Sequence, residues 1–149
     1  MTDTDVVVIG GGVMGTAAAW ALARRGREVT LLEQFELGHK RGSSHGTSRI
    51  FRFSYHDPMY VGLAMEALPL WRELERESGR DLLTTTGGLD VGEMVSTHAA
   101  ALQTLGAAFE VIDGAEAGRR FPFLSIQAAE PVLFQPDAGI VAADAAVRA

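Results

Sequence analysis

Val6-Val7-Val8-Ile9-Gly10-Gly11-Gly12-Val13-Met14-Gly15 is the stretch that decides the fold. A run of β-branched residues flows into three glycines, and a fourth follows three places later. Thr16 to Arg25 is rich in helix formers and is closed by Gly26. Val29-Thr30-Leu31-Leu32 then reads as a second strand, with Glu33 at its end. Strand, glycine turn, helix, strand and acid is the order that a dinucleotide-binding βαβ unit requires.

Each position in that unit has a physical job. Gly10 turns the chain sharply out of the strand, because glycine tolerates positive φ. Gly12 has no Cβ, so a pyrophosphate can approach the helix N-terminus, where unpaired N–H groups and the helix dipole favour an anion. Gly15 lets the helix pack close to the strands. Val13 and Met14 lie between those two glycines and join Gly10, Gly12, Gly15 and Glu33 as expected cofactor contacts. Glu33, 18 residues beyond Gly15, can accept hydrogen bonds from a ribose diol. It disfavours a 2′-phosphate, since like charges about 4 Å apart cost roughly 4 kcal/mol at an effective dielectric of about 20. FAD or NAD is therefore expected over NADP. Two other readings of the same stretch are an ordinary βαβ crossover with packing glycines and a membrane span from Val6 to Ala23. The glycine-turn pattern at its front speaks against the span.

Composition sets the outer bounds. The 149 residues are 47% apolar and 21% charged, with a formal net charge of −6. That is a globular balance, long enough to bury a core. The basic pairs Arg24-Arg25 and Lys40-Arg41 are too short for a nucleic-acid footprint. There is no cysteine, hence no disulfide, thiolate metal site or cysteine nucleophile. His39, His45 and His56 lack close metal-ligand spacing, so no metal is expected. The acidic start Met1 to Asp5 is the opposite of a secretory n-region, and a cytoplasmic protein is the expectation.

Further along, Gln34 to Ser48 is too rich in glycine and serine for a regular element. It holds Gly42-Ser43-Ser44-His45-Gly46-Thr47-Ser48 and leads into Arg49-Ile50-Phe51-Arg52. A loop this long in a compact domain usually has a function. Pro58 to Ser78 predicts a helix with Leu63, Ala67, Leu70, Trp71 and Leu74 on its apolar face. Arg72, Glu73, Glu75, Arg76 and Glu77 are then expected in water. Pro69 is expected to kink or divide the helix, and Gly79 to stop it. Strands are predicted at 82–86, 89–91, 109–112, 131–134 and 140–141, and helices at 97–105 and from Asp113 to Arg120. A last helix begins at Ala142. His39, His56 and His98 show no partner pattern and are expected at the surface. Two parallel strands alone need further strands and covering layers, so the chain reads as the N-terminal part of a larger enzyme.

These residues resemble a known family. The βαβ unit, the segment Gly42-Ser43-Ser44-His45-Gly46-Thr47-Ser48-Arg49-Ile50-Phe51-Arg52, and then Tyr55, Tyr60, Ala67, Trp71 and Leu74-Glu75 carry the likeness. Gly87-Gly88-Leu89-Asp90-Val91-Gly92, Arg120-Phe121-Pro122 and Phe134 to Ile140 continue it. The pattern is similar to the N-terminal region of monomeric sarcosine oxidase and N-methyltryptophan oxidase, in the D-amino-acid-oxidase superfamily. The resemblance implies an α/β fold: a Rossmann-like FAD-binding βαβ unit with the start of an α+β substrate domain, incomplete at the C-terminus. It implies boundaries at 1–85 for the first FAD-domain segment, 86–139 for the substrate-domain segment and 140–149 for a helix returning to the FAD domain.

The same resemblance implies FAD as cofactor and a small secondary amine, such as an N-methyl amino acid, as substrate. Hydride equivalents would pass from the carbon beside nitrogen to the flavin, the imine would hydrolyse, and oxygen would become hydrogen peroxide. By position, Gly10, Gly12, Gly15 and Glu33 would hold the ADP half. Ser43, Ser44 and His45 would lie along the flavin, with Arg49 near its ring, and Arg52 would pair with the substrate carboxylate. Other readings leave His45 as a loop histidine and the two arginines as solvated charges. The cysteine that tethers flavin in the family, and the lysine and tyrosines completing its active site, are not in this chain, so the polypeptide alone is expected to be inactive. The remaining alternatives are an NAD-dependent dehydrogenase and a non-catalytic nucleotide-binding fragment. No nucleic-acid or membrane partner is expected, and the sequence leaves the oligomeric state open.

Overall fold

The computed structural model describes residues 3–149. Met1 and Thr2, part of the acidic start read from sequence, lie outside the described residues. The chain packs as two compact units, one of 3–49 with Ala142–Ala149, the other of Ile50–Val141. This division differs from the boundaries at 85/86 and 139/140, because the long helix after Asp57 packs on the helix that ends at Leu105. That packing carries residues 50–85 into the second unit.

In the first unit, β1 (Val6–Ile9) lies parallel to β2 (Val29–Leu32), with Val6 opposite Val29 and Ile9 opposite Leu32. Between them runs α1 (Val13–Ala23). It starts one turn before the predicted Thr16, because Gly12 is extended and the glycine turn is shorter than the sequence suggests. Gly10 has φ +103°, the left-handed region that favours glycine. A Cβ on Gly15 would collide with the Gly10 carbonyl oxygen, so helix and strand approach as closely as their backbones permit. α1 buries none of its residues, and Ile9 is 86% exposed.

Residues 34–48 form no regular element, as their composition predicts. The chain then makes β3 (Arg49–Phe51), a strand that the cationic sequence did not announce.

The second unit contains two three-stranded sheets. One orders β3, β8 (Gly139–Val141) and β4 (Leu83–Thr85), and the other β5 (Gly88–Val91), β7 (Pro131–Gln135) and β6 (Glu110–Asp113). In the latter, β7 is antiparallel to both neighbours, with Asp90 opposite Leu133. The core collects Phe53, Val61, Leu82, Leu83, Leu102, Val132 and Leu133. Buried Gln135 reaches across it, its Oε1 accepting the Phe53 N–H at 3.4 Å.

α2 (Pro58–Ser78) has the predicted bounds. Asp57 caps it by accepting the Met59 N–H, proline occupies the first turn, and Gly79 ends it at φ +65°. Pro69 does not divide it: the helix is continuous, with the exposed ring on its solvent side. The apolar face is narrower than predicted. Leu63 and Leu70 are 55% and 48% exposed, and Val61 is the buried residue of the helix. Arg72 and Glu75, expected in water, are half-buried and tie the helix to β4. α3 (Val95–Leu105) and α4 (Gly114–Arg120) complete the unit, with Asp113 capping α4 through the Glu116 N–H at 2.8 Å. α5 (Ala143–Arg148) belongs to the first unit and packs on α1.

Candidate functional site

The site begins at the C-terminal end of β1. Three bare backbones in a row lead from β1 to the head of α1, Gly12 half-buried and Gly11 buried where the 22-residue return through α1 and β2 brings Glu33 over it. Glu33 Oε2 accepts the Gly11 N–H at 2.7 Å, and Oε1 accepts the Phe35 N–H at 3.0 Å. These two N–H groups hold the carboxyl below its ordinary range; partial burial opposes them, and nearby His39 adds to the lowering. The acid is therefore ionised at neutral pH and fixed at the turn. Each of its oxygens can still accept another donor, such as a sugar hydroxyl.

A cleft of about 200 Å³ opens beside this corner, lined by Gly11, Gly12, Glu33, Ser43, Ser44 and His45 among others. The loop 34–48 forms its other wall. Ser44 Oγ accepts the Val13 N–H at 3.0 Å, taking up an amide at the start of α1. That hydroxyl stands where an anion at the helix N-terminus would rest, and a hydroxyl can rotate to serve either partner. A Cβ on Gly12 would come within 3.1 Å of Ser44 Oγ, so the space over Gly12 depends on its lacking a side chain.

Arg49 stiffens the loop from outside. Its Nη2 donates to the carbonyls of Ser43 at 2.5 Å and His45 at 2.6 Å, and Nη1 to that of Ser48 at 2.7 Å. One cation thus gathers three carbonyls of the segment expected to lie along a flavin. The backbone of Gly46 is joined to α5: its N–H donates to Asp144 Oδ1 at 3.0 Å, and its carbonyl accepts the Asp144 N–H at 3.1 Å.

The expected residues Gly10, Gly12, Gly15, Glu33, Ser43, Ser44, His45 and Arg49 thus meet around one corner of the first unit. Val13 and Met14 head the helix there, Met14 81% exposed. Arg52 belongs to the second unit, where its Nη1 donates to Asp90 Oδ1 at 2.9 Å and its guanidinium lies over the Tyr55 ring at 5.4 Å.

Several site residues went unread in the sequence. Gly11 carries the Glu33 contact, though only its neighbours belong to the fingerprint. His39, expected at the surface, lies 3.4 Å from Glu33 Oε1 through Nε2, and its Nδ1 accepts the Arg41 N–H at 3.0 Å. The signal was its place six residues past an acid at a strand end. His98 is a second correction. It is 8% exposed, packed where α3 meets β7, with Nδ1 3.7 Å from Asp90 Oδ2. Asp144 and Arg148 line the cleft from α5. Among the described residues no group of three or more potential ligands could hold a metal ion, and no helix is long and apolar enough to cross a membrane.

A bare glycine corner, a clamped carboxylate and a serine at the helix head suit the adenosine and diphosphate of FAD. Comparison with known proteins agrees. The family described as FAD dependent oxidoreductase matches residues 5–149. Monomeric sarcosine oxidase of Streptomyces avermitilis is 45% identical over 142 residues, 92% of this chain and 37% of the relative. Peroxisomal sarcosine oxidase of Mus musculus is 38% identical, covering 97% of this chain and 38% of its own length. Among solved structures, NikD, an unusual amino acid oxidase essential for nikkomycin biosynthesis, superposes with a TM-score of 0.79 at 32% identity, over 97% of this chain and 39% of that one. The chain thus spans less than two-fifths of the length of these relatives. With the cradle, the clamped acid and these likenesses together, the chain belongs to the FAD dependent oxidoreductase family.

Proposed function

We propose that the protein containing this chain oxidises a secondary amine of the N-methyl amino acid type, with FAD as cofactor. The observation that carries the reading is the Gly11–Gly12 corner with Glu33 fixed across it by the Gly11 N–H at 2.7 Å. Bound there, FAD would accept the hydride of the C–H bond beside nitrogen while the N–H proton is lost, leaving an imine that hydrolyses, and oxygen would take the two electrons, with two protons, to become hydrogen peroxide. Glu33 orients the ribose. The α1 N-terminus, with Ser44 turned aside, receives the diphosphate. Arg49 keeps the 43–48 segment in one shape, and Arg52 receives the substrate carboxylate through a charge-assisted pair worth roughly 1.5–3 kcal/mol. A cytoplasmic location belongs to the same proposal, to be tested by localising the protein expressed from its full reading frame; the mouse relative is named peroxisomal.

The test is spectral and kinetic. The protein purified with its full reading frame is expected to be yellow and to consume oxygen with sarcosine. A colourless protein that turns over only with added NAD would overturn the reading. Arg52→Ala is expected to raise the KM for amines bearing a carboxylate by roughly tenfold or more, the equivalent of at least about 1.4 kcal/mol. Neutral amines should be little affected, and equal effects on both would remove Arg52 from the carboxylate site.

A further inference from the structure

The second unit holds a small charged cluster of Arg52, Asp90 and His98, of which the proposed reaction uses the arginine alone. Asp90 lies within β5, whose partner strand β7 places fully buried Leu133 opposite it. The turn before it is tightly made. Gly87 has φ +71°, and a Cβ there would come within 2.6 Å of the Phe134 ring, so β5 is pressed against β7 at its start. A side chain on such a strand is held more firmly than one on a loop.

From this rigid base the Asp90 carboxylate faces two groups. Oδ1 accepts from Arg52 Nη1 at 2.9 Å, and Oδ2 lies 3.7 Å from Nδ1 of buried His98. The carboxylate is 17% exposed while the arginine side chain is 42% exposed, so the acid is the inner, fixed member and the cation reaches outward. The Tyr55 ring lies beneath the guanidinium at 5.4 Å. An arginine has five N–H donors in a planar fork, and the Asp90 bond uses one of them. His98 Nδ1 has no hydrogen-bond partner among the described residues. The imidazole therefore closes the far side of the carboxylate without drawing it away from Arg52.

The geometry points to Asp90 as the positioning residue for Arg52: it seats the guanidinium from one end, Tyr55 supports its face, and the remaining donors are left for an incoming carboxylate. The inference rests on the proposed role of Arg52 for its consequence in binding, but the seating itself stands apart from that role. A free arginine would lose the rotamer entropy of a long side chain each time it met a ligand. Asp90 removes much of that loss beforehand.

The experiment follows the Arg52 Nε–Hε resonance in ¹⁵N-labelled protein, with Asp90→Asn as the isosteric variant and Asp90→Ser as a second, smaller one. The β5 and β7 amide signals serve as the control for folding. Hydrogen exchange at the Arg52 guanidinium is expected to quicken about tenfold in both variants, the change that about 1.4 kcal/mol of lost interaction produces. Titration with sarcosine is expected to show affinity reduced by a similar factor, with sarcosine methyl ester unaffected. Exchange within twofold of the unsubstituted protein, in a folded variant, would overturn the positioning role. Quickened exchange with sarcosine and its ester responding alike would uphold it, while removing Arg52 from the carboxylate site proposed above.

Discussion

Glu75→Ala tests whether the anchor at the end of α2 holds the sheet from which Arg52 emerges. Glu75 Oε1 accepts the N–H groups of Leu82 and Leu83, each at 2.8 Å, and Oε2 accepts from Arg72 Nη1 at 2.8 Å. Arg72 also donates to the Leu83 carbonyl and to Thr85 Oγ1, both at 2.6 Å, so helix and β4 are stitched from both sides. Leu82 and Leu83 are 1% and 3% exposed, and their amides have little access to replacement water. Alanine leaves two such N–H groups without an acceptor, at about 1–3 kcal/mol each. The half-exposed Arg72 pair adds no more than about 1 kcal/mol. The expected loss is about 3 kcal/mol, read as a lowered urea midpoint by circular dichroism. Glu75→Gln keeps one oxygen for both amides and loses the charge, so about 1 kcal/mol is expected there. The pH dependence is fixed in sign. Burial raises the Glu75 carboxyl, but the Leu83 N–H, Arg72 and the Leu82 N–H outweigh it and hold it below the ordinary 4.5. A depressed folded value means the contribution is full above the unfolded value and is lost as pH falls through the folded one. The gap between native and alanine proteins should therefore be widest near neutrality and close in acid. A Glu75→Ala protein within about 0.5 kcal/mol of the native at pH 7 would refute the anchor, since that is the scale of an ordinary surface change.

Gly12→Val is expected to abolish FAD binding, because its branched side chain would fill the space that Ser44 Oγ already borders at 3.1 Å; unchanged affinity by flavin fluorescence would contradict the role. Gly15→Ala should lower stability by about 1–3 kcal/mol as well as FAD affinity, since the obstacle to its methyl group is the Gly10 backbone and not a flexible side chain. A native-like denaturation curve would refute that. Glu33→Gln should weaken FAD binding, and its stability difference from the native protein should vanish on acidification through the depressed folded value of Glu33. A difference that stays constant from neutrality into acid would show that the Gly11 and Phe35 N–H groups do not favour the ionised form.

What could be read in the sequence was what neighbours in the chain decide. The βαβ corner needs only β-branched residues, glycines at fixed offsets and an acid at the next strand end, all within 33 residues. α2 was bounded correctly because Asp57, Pro58 and Gly79 are local signals with their own mechanisms. Pro69 does not divide the helix as one of its two expected effects would have it, because a proline's effect depends on which side of the helix it occupies. β3 was missed for a related reason: three residues carry too little pattern, and the strand exists because β8 lies beside it.

The contacts that distinguish a site from a fingerprint were set by tertiary packing instead. His98 follows Asp90 by eight residues, with a turn and the start of a helix between them. Only the packing of α3 against β7 turns that spacing into a 3.7 Å approach in a buried place. Arg52 is 38 residues from Asp90, and no sequence rule selects that acid from the 19 available. Glu33 shows the opposite case, since the βαβ geometry dictates its arrival at Gly11 once the strands are parallel and in register. A resemblance can therefore carry Glu33 from protein to protein as part of the backbone's design. The seating of Arg52 depends instead on which residue occupies the middle of β5, and the register of β5 on β7 fixes that residue's place but not its identity.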